Sequence, residues 1–341
     1  MPSIAHVGYG YWGRNLARNF SRIGALVAVV DANVQAAEEA AATYGVQTLS
    51  FDDALAAKEI DAISIASPAE LHYSLARSAL ERGKHVFVEK PLALDVAEAE
   101  HLSELADSRG LTLMVGHLLH YHPIYVRLAQ MVRDGELGNL RYAYSNRLSL
   151  GKFRIEENVL WSFAPHDISM LLGLFDEDPI SISAQGSIAF TPNVADFVTA
   201  QMKFRNGAGA HIQVSWLHPF KEQKLVVIGQ KAMAVFEDSE PNWDRKLLVY
   251  DHVIDTAGRV PTPTKADARP IIVPHGEPLL EECKHFIRSI ENGTEPRTGA
   301  REGLRVLRTL SLAEDKLREN LGIKDLRPAM LNSLRNDREN S

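Results

Sequence analysis

The sequence predicts an α/β protein in which a doubly wound parallel sheet is followed by an α+β domain with a large, mostly antiparallel open sheet. Two patterns predict this fold class. Up to about residue 118, short apolar runs alternate with Ala-rich helical stretches, which is typical of right-handed βαβ units. From about 140 to 250, longer alternating runs are separated by turn residues, which is typical of antiparallel strands. We therefore predict domains at 1–118 and 119–341.

The strands of the first domain are predicted from five apolar runs, at 3–7, 26–30, 62–66, 85–88 and 112–116. A G-x-G-x-x-G turn at Gly8–Gly13 follows the first run, and Asp31 ends the second run 18 residues after Gly13. This context is typical of a Rossmann dinucleotide site, where the glycines allow a tight turn, a close approach to the pyrophosphate and helix–strand packing. The motif predicts as cofactor-binding residues Gly8, Tyr9, Gly10, Tyr11, Trp12, Gly13 and Asp31.

Asp31 also indicates which dinucleotide is bound. A 2′-phosphate carries roughly −1.5 to −2 charges, so a carboxylate facing it would repel it. Residues 32–35 contain no Arg or Lys that could compensate. We therefore predict NAD as the cofactor.

The second domain contains a strong hairpin signal at Asn206-Gly207, between the apolar runs 196–204 and 208–216. Five prolines within 255–278 predict an irregular loop. Helices are predicted again at 279–292 and 299–320.

Composition excludes several classes of protein. A net charge of −7 argues against a nucleic-acid partner, because nucleic-acid-binding domains are usually strongly basic. A single cysteine, Cys283, rules out an internal disulfide and fits a reducing compartment. No apolar run approaches the roughly 20 residues that a membrane span needs, and no basic region precedes the first strand. We therefore expect no membrane association, no signal peptide and a cytoplasmic location.

Two strand ends carry candidate site residues. Ser67-Pro68 follows the third apolar run and Glu89-Lys90-Pro91 follows the fourth, and ligands of doubly wound sheets bind beyond the carboxyl ends of the strands. A Lys beside a nicotinamide can hydrogen-bond the substrate oxygen that changes charge during hydride transfer. The alternative interpretation of Lys90 is an ordinary surface Lys after a strand.

Oxidation of an alcohol also needs a group that accepts the hydroxyl proton. For this role the pKa of a Lys must be lowered from about 10.4 to roughly 7–8, whereas the pKa of an ordinary His is about 6.5. His166, within a helical stretch of the second half, is the best candidate, and a structural His is the alternative.

Two further clusters have open interpretations. His117, His120 and His122 could suggest a metal site, but no Cys and no recognised His–carboxylate spacing supports one, so no metal is predicted. Four basic residues fit either a solvated strand face or an anion site for a substrate phosphate, since Arg binds phosphate bidentately. They are Arg141, Arg147, Lys152 and Arg154.

The glycine turn, Ser67-Pro68 with His72, the segment 83–91 (Gly-Lys-His-Val-Phe-Val-Glu-Lys-Pro) and His166 together resemble the Gfo/Idh/MocA family. The resemblance implies a Rossmann domain, a second domain whose open sheet is used in oligomerisation, and oxidation of a sugar or cyclitol with a nicotinamide cofactor. It implies that Lys90 and His166 are catalytic and act on one alcohol. It adds Ser67, Pro68, His72, Glu89 and Lys90 to the cofactor site.

The family pattern is Asp-x-x-x-His, and this chain has Ser162 where the pattern has Asp. This makes Asp167 a possible orienting residue for His166. The segments 115–117, 121–123, 135–138 and 161–169 resemble the branch of the family that acts on nucleotide sugars. That branch implies NAD-dependent oxidation of the 3-hydroxyl of UDP-N-acetylglucosamine to a 3-keto sugar, for the biosynthesis of 3-amino sugars in lipid A or polysaccharides. The predicted substrate-binding residues are Lys90, His117, Tyr121, Arg147, Lys152, Arg154, Asn158, Trp161 and His166.

The expected partners are a UDP-sugar, functionally an aminotransferase that consumes the product, and further copies of the chain in a homodimer or homotetramer. Three other functions stay open. The first is an NAD-dependent inositol or free-sugar dehydrogenase. The second is an enzyme that keeps NAD bound and cleaves a glycosidic bond through transient oxidation at C3. The third is a non-catalytic NAD-binding redox sensor, which would not need Lys90.

Overall fold

The computed structural model describes residues 1–155, 157–255 and 257–323, which form two compact units. The first unit comprises Met1–His122 and Gly276–Arg308, and the second comprises Pro123–His275 and residues 309–323. In this described part of the chain, every helix is too short or too polar to cross a membrane.

The strands of the described chain are β1 (Ile4–Val7), β2 (Leu26–Val30), β3 (Gln47–Thr48), β4 (Ala62–Ile65), β5 (His85–Glu89), β6 (Leu113–Gly116), β7 (Leu140–Leu150), β8 (Ser181–Ser187), β9 (Phe197–Lys203), β10 (Gly209–Ser215), β11 (Leu217–Gly229), β12 (Met233–Glu237), β13 (Leu247–Tyr250), β14 (Val253–Asp255), β15 (Thr262–Thr264) and β16 (Ala268–Pro270). Its helices are α1 (Gly13–Ile23), α2 (Val34–Tyr44), α3 (Phe51–Ala56), α4 (His72–Glu81), α5 (Val96–Arg109), α6 (Pro123–Arg133), α7 (Val159–Phe175), α8 (Pro278–Asn292) and α9 (Ala300–Leu321). Short 3₁₀ helices occupy Ala69–Leu71, Leu118–Tyr121 and Trp243–Arg245.

The first unit contains a parallel sheet of six strands in the order β3-β2-β1-β4-β5-β6. The chain builds outward from β1 to one edge and then from β4 to the other. The carboxyl ends of β1 and β4 therefore flank the point where the strand order reverses, which is where doubly wound sheets bind ligands. The predicted Rossmann sheet is confirmed.

The division between the units differs from the predicted boundary at residue 118, because Gly276–Arg308 returns to the first unit. α8 brings Phe286 against Phe20 of α1 and Phe87 of β5, with ring centroids 6.4 and 5.8 Å apart. Cys283, on the same helix, is fully buried, and burial raises the pKa of its thiol well above the usual range. The apolar face of α8 thus completes the core of the first unit.

The second unit contains a sheet of eight strands in the order β16-β13-β12-β11-β7-β10-β9-β8. Only the β7–β10 pair is parallel among the strand pairs described in this sheet. Asn206-Gly207 forms the hairpin between β9 and β10, with Gly207 at φ +81°. The predicted, mostly antiparallel sheet is confirmed.

One local prediction for the second unit was wrong. The Pro-rich segment 255–278 holds two short exposed strands, β15 and β16, where an irregular loop was predicted. Each is three residues long and β16 lies at the edge of the large sheet, so a Pro is tolerated there.

α7 covers one face of the large sheet. Its buried side chains include Leu160, Ile168 and Leu171, and Ser145 of β7 reaches its Asp167. Because side chains alternate along a strand, Tyr142 and Tyr144 of β7 lie on the opposite face.

Candidate active site

The glycine turn after β1 has the geometry of a phosphate-binding turn. A Cβ atom on Gly8, which has φ +95°, would lie 2.7 Å from the carbonyl oxygen of Ala66, and one on Gly13 would lie 1.8 Å from the carbonyl oxygen of Gly8. A Cβ on Gly10 would meet no atom within 4 Å. A side chain at Gly8 would therefore clash with the backbone that follows β4, and a side chain at Gly13 would clash with the turn itself. Gly10 leaves its backbone open to a ligand at the N-terminus of α1.

His6 supports this turn from below. Its side chain is fully buried, with Nε2 3.0 Å from the carbonyl oxygen of Gly8 and Nδ1 3.1 Å from Oγ of Ser64. Because a carbonyl only accepts, Nε2 carries the proton and Nδ1 accepts from the Ser64 hydroxyl. Burial lowers the pKa of His6 to about 4, so the imidazole is neutral at physiological pH.

Asp31 lies directly after β2, where an adenosine ribose is bound in Rossmann domains. Its Oδ2 accepts from the backbone N–H of Tyr9 at 2.6 Å, and its Oδ1 accepts from that of Asn33 at 2.7 Å. A carboxylate has about four acceptor positions, so Asp31 can also accept from two ribose hydroxyls. Arg14, which lies over the Tyr9 ring, is paired with Glu39 at 2.8 Å. These contacts fit NAD.

The remaining residues of the turn face outward. Tyr11 is 92% exposed, and Trp12 is 37% exposed with its indole N–H donating to Oε1 of Glu89. The predicted turn residues and the predicted Glu-Lys-Pro segment are thereby brought together at the carboxyl edge of the sheet. Burial raises the pKa of Glu89 to about 7, against the opposing effects of Trp12 and the Lys90 ammonium.

His72 connects the two predicted strand ends. Its Nδ1 lies 2.7 Å from the carbonyl oxygen of Pro91, and its Nε2 lies 2.9 Å from that of Ser67. The ring is almost fully buried, and burial lowers its pKa. His72 therefore holds the loop after β4, with Ser67 and Pro68, against the loop after β5 that carries the half-buried Lys90.

His117 and Tyr121, predicted as substrate-binding residues, are buried in the first unit. Nδ1 of His117 lies 2.6 Å from Oε2 of Glu302, and the hydroxyl of Tyr121 lies 2.9 Å from Oγ1 of Thr298. In the described chain, no group of three or more His, Cys, Asp or Glu side chains has the arrangement to hold a metal ion.

In the second unit, Asn158 and Trp161 hold the beginning of α7. Oδ1 of Asn158 accepts from the backbone N–H groups of Leu160 and Trp161 at 3.0 and 3.4 Å, which is an N-cap. The buried indole of Trp161 donates to Glu314 of α9. The polar atoms described for these two predicted substrate-binding residues thus stabilise the helix that carries His166.

Asp167 of α7 is held by two residues of β7. Its buried carboxylate accepts from Oγ of Ser145 at 2.6 Å and from Nε and Nη2 of Arg147 at 2.7 and 3.1 Å. His166 is half-buried and lies on another face of α7, one turn after Ser162 and Phe163. The role of Asp167 as an orienting residue for His166 stays a prediction.

The four basic residues that are close in sequence are separated in the structure. Arg141 is exposed near the beginning of β7, whereas Lys152 and Arg154 follow its end, about 30 Å away along the strand. Arg147 is paired with Asp167 beneath α7, so its guanidinium is engaged by a buried carboxylate. Lys152 and Arg154 are exposed, with Arg154 3.3 Å from Glu157.

Comparison with known proteins assigns both units. Residues 3–117 match the family model of an oxidoreductase family with an NAD-binding Rossmann fold, and residues 125–235 match the Gfo/Idh/MocA C-terminal domain. The chain belongs to the Gfo/Idh/MocA oxidoreductase family. It is accordingly an NAD-binding oxidoreductase whose named relatives are dehydrogenases.

Two of these Gfo/Idh/MocA relatives bear on the substrate. The UDP-N-acetylglucosamine 3-dehydrogenase of Acidithiobacillus ferrooxidans is 35% identical over 210 residues, which cover 61% of this chain and 65% of that enzyme. A solved structure of that enzyme superposes with a TM-score of 0.83 at 27% identity, over 94% of this chain and 98% of the other. The inositol 2-dehydrogenase of Rhizobium meliloti is 25% identical over 293 residues, which cover 83% of this chain and 86% of that enzyme.

Sequence reasoning missed several contacts in this Gfo/Idh/MocA domain. His6 and Ser64 were read as parts of apolar strands, although a polar residue inside such a run is a signal in itself. The bond from Trp12 to Glu89 joins residues that are 77 positions apart, and no local spacing predicts it.

Proposed function

We propose that this chain oxidises the 3-hydroxyl of a nucleotide-linked amino sugar, UDP-N-acetylglucosamine, to the 3-keto sugar with NAD as hydride acceptor. The observation that carries the proposal is the similarity to the Acidithiobacillus ferrooxidans enzyme, at 35% identity and with a TM-score of 0.83. The glycine turn, Asp31, Lys90 and His166 supply the residue types that this chemistry needs.

The protein residues have distinct roles in this proposal. The open backbone at Gly10 would receive the pyrophosphate, and Asp31 would accept from the ribose hydroxyls. NAD, when bound, supplies the carbon that takes the hydride. His166 accepts the hydroxyl proton, because a neutral imidazole has one ring nitrogen that can take a proton. Lys90 donates a hydrogen bond to the oxygen as it loses that proton.

The test is a spectrophotometric assay with NAD and UDP-N-acetylglucosamine, with and without an aminotransferase that removes the keto product. We expect NADH to accumulate with wild type and kcat to fall about 10²- to 10⁴-fold in Lys90→Met and in His166→Asn, because each removes a proton-handling group. The dissociation constant for NAD should change only a few-fold in His166→Asn. Full activity in both variants would contradict the assigned roles.

A second candidate is a cyclitol or free-sugar dehydrogenase, which the similarity to the Rhizobium meliloti inositol 2-dehydrogenase favours. The same assay with myo-inositol and free sugars separates the two candidates. Turnover of inositol without turnover of the UDP-sugar would replace the first proposal by the second. NAD binding without turnover of either class would favour the redox sensor.

We also propose that the chain assembles into a homo-oligomer and that an aminotransferase consumes its product. A 3-keto sugar carries the carbonyl that transamination requires. The sheet face opposite α7 bears Tyr144 stacked on His211, with ring centroids 5.2 Å apart, and such a face is suited to burial against a second copy.

A further inference from the structure

Four aromatic rings form a continuous series in the second unit, which we call the ring series: Phe163, Trp216, Phe153 and Phe190. Successive ring centroids lie 6.4, 6.1 and 5.5 Å apart. Trp216 is fully buried and its indole N–H donates to Oδ1 of Asp196 at 2.5 Å, which fixes the centre of the series. The last two rings of the series are exposed, Phe153 by 42% and Phe190 by 68%.

The ring series begins beside the proposed catalytic His. Phe163 precedes His166 by three residues on α7, so the two side chains lie on the same face of the helix. The series therefore leads from the face of α7 that carries His166 to the surface of the same unit. Exposed apolar rings that adjoin one another often mark a ligand or partner site.

Positive charge accompanies the exposed end of the ring series. Lys152 and Arg154 flank Phe153 in the chain and both are exposed. Arg154 also lies 3.3 Å from Glu157, whose carboxylate offsets part of this positive charge. An apolar ring surface beside two cations suits a ligand that combines an aromatic base with phosphates.

We propose that Phe153 and Phe190 form a stacking platform for the nucleobase of the substrate, and that Lys152 and Arg154 contact its diphosphate. This inference rests on the proposed function, since it needs a nucleotide-linked substrate. The two rings meet edge to face at 79°, so a planar base can stack on an exposed ring face without displacing the other ring.

The experiment measures binding of UDP and of uridine to the whole protein by calorimetry. In Phe190→Leu and Phe153→Leu, which keep apolar volume but remove the ring face, we expect both ligands to bind about 5- to 150-fold more weakly, the equivalent of about 1–3 kcal/mol per stacked base. Lys152→Ala should weaken the binding of UDP and leave the binding of uridine unchanged. Phe190→Trp should retain both affinities.

Phe220→Leu is the matched control, because Phe220 is an exposed Phe outside the ring series. It should leave UDP binding and the KM for UDP-N-acetylglucosamine within about two-fold of wild type. NAD affinity should be unchanged in all the ring variants. For the Phe190 variant we expect a raised KM with a nearly unchanged kcat, because stacking binds ground and transition states alike.

The outcomes separate the platform from the proposed function. If wild type turns over UDP-N-acetylglucosamine but both Leu variants bind UDP as wild type does, the platform is wrong and the proposed function stands. If wild type binds no UDP and oxidises inositol instead, both are wrong. If the Leu variants instead alter the solution mass and leave UDP affinity unchanged, the rings belong to an interface between copies and the platform is overturned.

Discussion

At the scale of single residues, the environment of Asp31 bears on the choice of cofactor. Its two carboxylate oxygens are held by backbone N–H groups of the glycine turn and of the residue before α2. The carboxylate is therefore fixed in position and keeps acceptor capacity for a ribose.

We predict that Asp31→Asn weakens the preference for NAD over NADP by about 10-fold or more, because it removes the repulsion of a 2′-phosphate while keeping an acceptor oxygen. The measurement is the ratio of the KM values for the two cofactors. Asp52→Asn, on the exposed surface of α3, is the control. An unchanged ratio in Asp31→Asn would show that another residue selects the cofactor.

A second residue-scale prediction concerns Glu89, whose pKa burial raises to about 7. Between the pKa of an unfolded Glu, near about 4.3, and that value, the folded state binds more protons than the unfolded state. The contribution of Glu89 to stability is therefore greatest at low pH and declines as the pH rises through this window.

We accordingly expect Glu89→Gln to lose less stability than wild type between about pH 5 and about pH 7.5. Urea unfolding at the two pH values measures the difference. Glu104→Gln, exposed on α5, should behave as wild type. A Glu89→Gln slope equal to that of wild type would mean that Glu89 titrates normally.

At the scale of elements, the first sheet could be predicted because each strand, turn and helix has a local signal. The alternating apolar runs, the spacing of Gly8, Gly10 and Gly13, and the position of Asp31 all lie within short windows. The placement of α8 could not be predicted in this way. Its periodicity indicates a buried face, but not that Phe286 meets Phe20, more than 260 residues earlier.

The same limit applies to the candidate site. Lys90 was predicted from its place after a strand, whereas the contacts of His72 with the Ser67 and Pro91 carbonyls depend on two loops meeting. The separation of Arg141 from Lys152 and Arg154 follows from the extended strand between them, which carries neighbours in sequence far apart. The pairing of Arg147 with Asp167 could not be predicted, since a strand residue facing a helix looks, in sequence, like one facing solvent.

The pairing of α7 with β7 yields an element-scale prediction. Arg147→Met leaves Asp167 as a buried carboxylate without its cation and should cost about 3–5 kcal/mol in the free energy of unfolding. The double variant Arg147→Met with Asp167→Leu removes both charges and should cost less than Arg147→Met alone. Urea denaturation of wild type, the single variant and the double variant measures these differences. A double variant less stable than the single one would refute the buried-charge explanation.

At the scale of the whole molecule, the face of the large sheet opposite α7, where Tyr142, Tyr144 and His211 are half-buried, is the surface on which we propose that copies of the chain meet. Tyr144 is central on this face, paired in register with His211 on one side and Val226 on the other.

If this face is buried between copies, Tyr144→Glu should lower the solution mass, because it places a charge in the interface. Light scattering after size exclusion measures the mass. Val260→Glu, at an exposed position outside the face, should leave it unchanged. A Tyr144→Glu protein with the mass of wild type would place the interface elsewhere.

Cys283 gives the molecule a practical property. The chain has one thiol, which lies in the core of the first unit with a strongly raised pKa, so thiol-directed dyes and spin labels should leave the native protein unmodified. A cysteine introduced at an exposed position would then be the single attachment point. Spectroscopic probes can thus be installed without first engineering away native cysteines.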